Sequence, residues 1–198
     1  MAELFLRGLS RWQADTQREA VADVYVASYN GRAGGTVGAG GAGGAGGAVG
    51  SGAIGGAAAG REDFLRRLED HVQRPGFEMV LAGGDRPVGC AYGFRADRSG
   101  AWWPDFPEGP PLALTEVTSS PRAFVVAELM VVPDQRRRHI ATRLQQHLLA
   151  RWTPSPAVAL FPRGNEAAGA AYRTWGWTRT GSLHPAPPTP PLDLWTHR

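Results

Sequence analysis

The chain has 198 residues, 42% hydrophobic and 20% charged, with a formal net charge of +3, which suits one domain with a packed core and does not call for two. All 21 residues counted as Lys+Arg are arginine. This bias accompanies an abundance of Ala, Gly and Pro, so it argues only weakly for nucleic acid; a small positive charge permits a phosphate-bearing ligand without demanding a polyanion.

The single cysteine, Cys90, rules out an internal disulfide and suits a reducing, cytoplasmic setting. It sits in the strand-like run Val88-Gly-Cys-Ala-Tyr-Gly-Phe94, where a buried structural thiol is expected rather than a nucleophile. No signal peptide is expected, because Leu4-Phe5-Leu6 is too short for an apolar core and Arg7, Arg11 and Asp15 follow. The uncharged stretch Ala33 to Gly60 is long enough to span a bilayer, but it is almost all Gly and Ala, and glycine adds almost no transfer energy. A flexible insert over 31–60 inside a single 1–198 domain is the expectation.

In chain order, Leu4-Phe-Leu-Arg-Gly reads as a first strand. Asp15 to Tyr29 has helical spacing at Val21, Val24, Tyr25 and Ser28, with Asp15 and Glu19 where a helix start favours acids. Arg61 to Val72 is the next helix, with Phe64, Leu65, Leu68 and Val72 on one face. Phe77 to Ala82 and Val88 to Phe94 form a hairpin around Gly83-Gly84-Asp85-Arg86-Pro87. The long connection Arg95 to Arg122 is rich in Pro, Trp and acidic residues, and connections of that length are usually functional or disordered. Ala123 to Val132 is the longest apolar strand, then come a helix over Arg138 to Trp152, a strand over Ala157 to Phe161 and a helix over Glu166 to Trp175. Trp177 to Leu183 and Leu192 to Trp195 close the sheet around a proline-rich loop. The strand–helix–strand unit from Ala123 to Phe161 requires a right-handed crossover and parallel pairing, giving an α/β layered domain with a mixed sheet.

Two windows carry chemistry. In Glu128-Leu-Met-Val-Val-Pro-Asp-Gln-Arg-Arg-Arg-His-Ile-Ala141, a buried strand stops at Pro133 and a basic turn opens a helix whose first N–H groups can face an anion. In Asn165-Glu-Ala-Ala-Gly-Ala-Ala-Tyr172-Arg-Thr-Trp-Gly-Trp177, one asparagine and one tyrosine return on a second helix. The pair resembles the GNAT superfamily of N-acetyltransferases. In that family a Q/R-x-x-G-x-G/A turn binds the pyrophosphate of acetyl-CoA; Arg136 fills its first position, Ile140 the apolar one and Ala141 the last. His139 stands where the family has its middle glycine, a departure that puts a Cβ near the phosphate path. Arg137 and Arg138 add donors if they turn inward. Otherwise the triplet is a solvated helix start, although cations there oppose the helix dipole unless an anion intervenes. The second window matches the family's N-x-x-A-x-x-x-Y-x-x-x-G-[FW] at Asn165, Ala168, Tyr172, Gly176 and Trp177.

The resemblance implies a GNAT-like fold with a splayed central strand pair. It implies acetyl-CoA as co-substrate, and acetyl transfer to a primary amine by direct attack in a ternary complex. It makes Tyr172 the proton donor to the departing thiolate and Asn165 a partner of the pantetheine arm. Leu129, Met130 and Val131 would bind that arm through their backbones, like an added strand. Residue by residue, Tyr172 also reads as a core aromatic and Asn165 as a helix cap. Glu128 is the candidate base. By alternation it shares a face with Val126 and Met130, and it reads equally as a buried glutamate held by an arginine such as Arg122.

No metal is expected, for Cys90 is alone and the five histidines are scattered. The expected partner is a small-molecule amine, drawn to Trp102, Trp103, Asp105, Phe106, Glu108 and Glu116, with no nucleic acid and no membrane; a homodimer is left open. The alternatives are a protein N-acetyltransferase, an acyl-CoA-binding module without turnover and, resting on arginine content alone, a nucleic-acid binder.

Overall fold

The computed structural model describes residues 5–30, 48–49, 60–96, 112–120, 122–153, 155–185 and 190–198. Most of the Gly/Ala-rich insert, the residues Trp102 to Glu108 and the tip of the proline-rich loop lie outside the described residues. In chain order the elements are β1 (Leu6–Leu9), α1 (Arg11–Thr16), α2 (Arg18–Asn30), β2 (Ala48–Val49), α3 (Arg61–Gln73), β3 (Glu78–Gly83) and β4 (Pro87–Arg95). They continue with α4 (Leu112–Thr118), β5 (Phe124–Val131), α5 (Ile140–Leu149), β6 (Ala157–Pro162), α6 (Glu166–Thr174), β7 (Thr178–Leu183) and β8 (Leu192–His197).

The sheet runs β1-β3-β4-β5-β6-β8-β7, with β2 joined to β5. Among the described residues only β5 and β6 pair in parallel, as the crossover through α5 requires. All eight residues of β5 are buried, because helices cover both faces of the sheet, and this explains its continuous apolar sequence. On one face, Tyr25, Phe64 and Leu68 of α2 and α3 pack with Val125, Ala127 and Met130. On the other, Leu144, Leu148 and Tyr172 of α5 and α6 pack with Val126, Leu129 and Val131.

Three elements were not anticipated. The turn before α2 forms α1, started by a capping box in which Ser10 and Gln13 satisfy each other's free amides. The connection after β4 contains α4, and the Gly/Ala-rich insert contributes β2.

The alternation along β5 breaks at one point. Tyr92 stands opposite Glu128 but Gly93 stands opposite Val126, so Ala127 is an extra residue, a β-bulge. Simple alternation places Glu128 with Val126 and Met130. The bulge leaves Met130 on the α2/α3 face and moves Val126 to the other. Gly93 admits the bulge, since a Cβ there would strike the Val125 carbonyl and stand 2.6 Å from the Phe124 ring. Gly93→Ala should therefore cost about 2–4 kcal/mol in a denaturant titration. A cost below the error of that titration would show that this close approach does not hold the bulge.

Candidate active site

The parallel pairing of β5 with β6 covers only Phe124–Val126 against Ala157–Ala159. Beyond the bulge, β5 stays on β4 while β6 stays on β8, and the two strands part. The amide of Val132 donates to the Val88 carbonyl (3.0 Å), which fixes the phase of the β4 ladder. Backbone groups alternate in direction along a strand, so those of Glu128 and Met130 point to β4 and those of Leu129 and Val131 to the parted edge. Of the three residues expected to present their backbones there, Met130 does not. The Val131 carbonyl accepts from Arg136 Nε at 3.1 Å. At Leu129 the edge meets β2: Ala48 stands opposite Leu129 and Val49 opposite Glu128, with β2 also lying against β6.

Downstream of β5, a single 3-10 turn over Pro133–Gln135 leads to α5. His139 is its N-cap in the left-handed conformation, φ 56°, and Arg137 is left-handed too, φ 60°. His139 thus keeps the backbone shape that favours glycine, at a cost of about 1 kcal/mol. No side chain caps the helix, so the first amides of α5, from Ile140 to Thr142, have no partner within it. They open on a cleft of about 450 Å³ whose walls include Val131, Arg137, His139, Ala141, Thr142 and, from α6, Ala171. Concave runs of amides around left-handed residues bind anions. Arg136 and Arg137 both line the cleft; Arg136 also donates to the Ser28 carbonyl at 2.8 Å, so it ties the turn to α2, and Arg138 donates to Gln135 Oε1 at 2.6 Å. Across the cleft, Trp175 Nε1 donates to Thr142 Oγ1 at 3.0 Å and joins α6 to α5.

Glu128 is 1% exposed, on the α2/α3 face. Its counter-ion is Arg67 of α3, with Nη2 3.7 Å from Oε1, while the Tyr29 hydroxyl donates to Oε2 at 3.4 Å. Arg122, the partner suggested by the sequence, is exposed. Burial outweighs both contacts and pushes the Glu128 carboxyl up to about 8. Arg67, Tyr29 and Tyr25 went unnoticed in the sequence, because an arginine on a charged helix and tyrosines on an apolar stripe carry no local signal.

Tyr172 is 1% exposed on the opposite face, ringed by Phe161, Trp175, Trp177 and Trp195. Its hydroxyl has no hydrogen-bond partner. Burial raises its pKa and the charge of Glu128 raises it further, so the phenol stays neutral. Asn165 caps α6 by accepting from the Ala168 amide at 3.3 Å. Of the expected acceptor residues, only Glu116 is described, on α4 and exposed. Among the described residues no group of three or more His, Cys, Asp and Glu is placed to hold a metal, and no helix is long and apolar enough to cross a membrane.

No family model matches the chain, and no curated protein matches it by sequence. Solved structures do match its fold along nearly all of its length. An acetyltransferase from Thermus thermophilus superposes with a TM-score of 0.58 at 15% identity, covering 98% of this chain and 96% of that one. A GNAT-family acetyltransferase from Streptococcus pneumoniae gives 0.57 at 11% identity over 98% of both chains. The YncA protein of Salmonella typhimurium, a putative acetyltransferase solved with its cofactor acetyl-CoA, gives 0.58 at 12% identity, covering 98% of this chain and 93% of that one. The chain has the fold of the GNAT-family acetyltransferases.

Glu128 also governs a pH effect on stability. Its carboxyl titrates near 4.5 in the unfolded chain and near 8 when folded. Between these values the folded state holds a proton that the unfolded state has lost, so stability falls as pH rises. Wild type should lose on the order of 1–3 kcal/mol between about pH 5 and pH 8 relative to Glu128→Gln. Parallel pH profiles of the two proteins in thermal unfolding would show that Glu128 is not protonated by burial.

Proposed function

We propose that the chain transfers an acetyl group from acetyl-CoA to a primary amine of a small molecule, by direct attack within a ternary complex. The observation that carries this reading is the gap between β5 and β6. It is flanked by Glu128 from one face of the sheet and by the unpartnered Tyr172 hydroxyl from the other face. The Leu129 and Val131 backbones would hold the pantetheine arm along the gap, and the amides of α5 with Arg137 would hold the pyrophosphate. Acetyl-CoA supplies the activated acyl thioester.

Glu128 takes a proton from the acceptor ammonium, and a carboxyl near 8 is matched to that task close to neutral pH. The freed amine attacks the carbonyl carbon; the C–N bond forms as the carbonyl electron pair moves to oxygen, where the Leu129 N–H offers a hydrogen bond. As the C–S bond breaks, Tyr172 gives its hydroxyl proton to the sulfur, and the new amide nitrogen sheds its second proton to the phenolate, restoring the phenol. The products are the N-acetyl amine, CoA thiol and one proton retained by Glu128 until solvent removes it.

Tyr172→Phe should lower kcat by about 100-fold or more with CoA affinity unchanged. The wild-type kcat/KM should rise with pH through an apparent value near 8, and Glu128→Gln should abolish that limb. CoA release assays across pH check both, and full activity in the phenylalanine variant would remove Tyr172 from the chemistry. Because β2 uses the Leu129 edge, pantetheine must displace it. Ala48→Pro, which removes the amide facing that edge, should tighten CoA binding about two- to tenfold by calorimetry. Weaker binding would make β2 part of the site instead of its competitor.

A further inference from the structure

Resting on the acetyl-transfer reading, we infer that the acceptor is a free α-amino acid, whose carboxylate is held by Arg67 while its amine meets Glu128. Arg67 lies on the α2/α3 face, packed against two aromatic rings. Its guanidinium stands 5.6 Å from the centre of the Tyr25 ring and 5.8 Å from that of Phe64, and those two rings stack at 4.3 Å. The side chain is 16% exposed, and its Nε and Nη2 are buried without a hydrogen-bond partner. These two nitrogens form one edge of the guanidinium plane, the edge that grips a carboxylate with two parallel N–H···O bonds.

Glu128 does not fill that role. At 3.7 Å its Oε1 is an ion-pair partner of Nη2 but lies beyond hydrogen-bond distance. Arg67 thus keeps two buried N–H donors without an acceptor, a state that costs free energy until a ligand supplies one. Burial works against its charge, while Glu128 and the Tyr25 hydroxyl work for it, and the guanidinium remains protonated.

The spacing selects the ligand. A carboxylate on the Nε/Nη2 edge and an amine on Glu128 are separated by little more than the Arg67–Glu128 distance itself. In an α-amino acid a single tetrahedral carbon joins the two groups, which fits. A polyamine or amino sugar would set a second cation against Arg67. A peptide N-terminus presents a neutral amide where the carboxylate belongs. Tyr29, within reach of Glu128, and the Tyr25 and Phe64 rings complete a wall that suits an apolar or aromatic side chain.

The test uses the full chain and three probes that differ only at the acid group: L-phenylalanine, its methyl ester and phenethylamine. Acetylation with acetyl-CoA should favour the free acid at least tenfold in kcat/KM, and calorimetry without acetyl-CoA should show the same order of binding. Arg67→Met should erase the preference for the free acid over its ester and the amine, and Arg67→Lys should restore part of it. L-leucine and L-glutamine repeat the comparison, so that side-chain choice does not decide the result. Equal or better use of the ester and the amine by wild-type protein overturns the inference, and so does failure of every free amino acid to bind. Neither outcome needs a variant that folds. Absence of CoA binding sinks the acetyl-transfer reading alone, because the amino-acid titration reads the pocket independently.

Discussion

Two neighbouring strands that begin as a regular parallel pair and then separate create everything this site offers. While β5 and β6 are paired, from Phe124 to Val126, the sheet is an apolar wall with helices on both sides. Past the bulge at Ala127 the wall opens, and backbone groups that would have been bonded to β6 become available. Buried polar backbone cannot remain unpaired without cost. The released edge therefore calls for a partner, which is β2 at Leu129 and the Arg136 side chain at the Val131 carbonyl. Across the same opening the charge of Glu128, rooted on the opposite face of the sheet, disfavours ionisation of Tyr172.

Burial and charge then set the chemistry. Glu128 and Tyr172 are both driven toward their neutral forms by loss of water. A carboxyl that titrates near neutrality can accept a proton, and a phenol that resists ionisation can only donate one. The turn before α5 is shaped in a different way. His139 and Arg137 adopt backbone angles that suit glycine, so the shape of an anion cradle is retained despite two bulky side chains. Arg136 anchors the turn to α2 while lining the cleft beside Arg137 and the helix amides.

Much of this was legible in the sequence. The continuous apolar run of β5, the stripe of Ala141, Leu144 and Leu148 and the spacing from Asn165 to Trp177 fix element type through burial and periodicity, which are local properties. The parallel pairing of β5 with β6 followed from the single crossover. What stayed hidden depends on contacts far apart in the chain. Arg67 and Tyr29 meet Glu128 across separations that no spacing rule encodes, so Arg122, which is near in sequence, seemed the natural partner. The bulge was invisible because Ala127 looks like any other strand residue; its trace was Gly93, on the neighbouring strand, where only a missing side chain lets the backbones approach. The pairing of Ala48 with Leu129 could not be read from a tract of nearly uniform glycine and alanine.

Titration of CoA into isotopically labelled protein, followed by amide chemical shifts, tests the central claim most directly. The account predicts the largest changes at Leu129, Val131, Ile140, Ala141 and Thr142, which lie along the parted edge and the start of α5. Saturating CoA that leaves those five amides unmoved, or that moves a set on another part of the sheet, would contradict it.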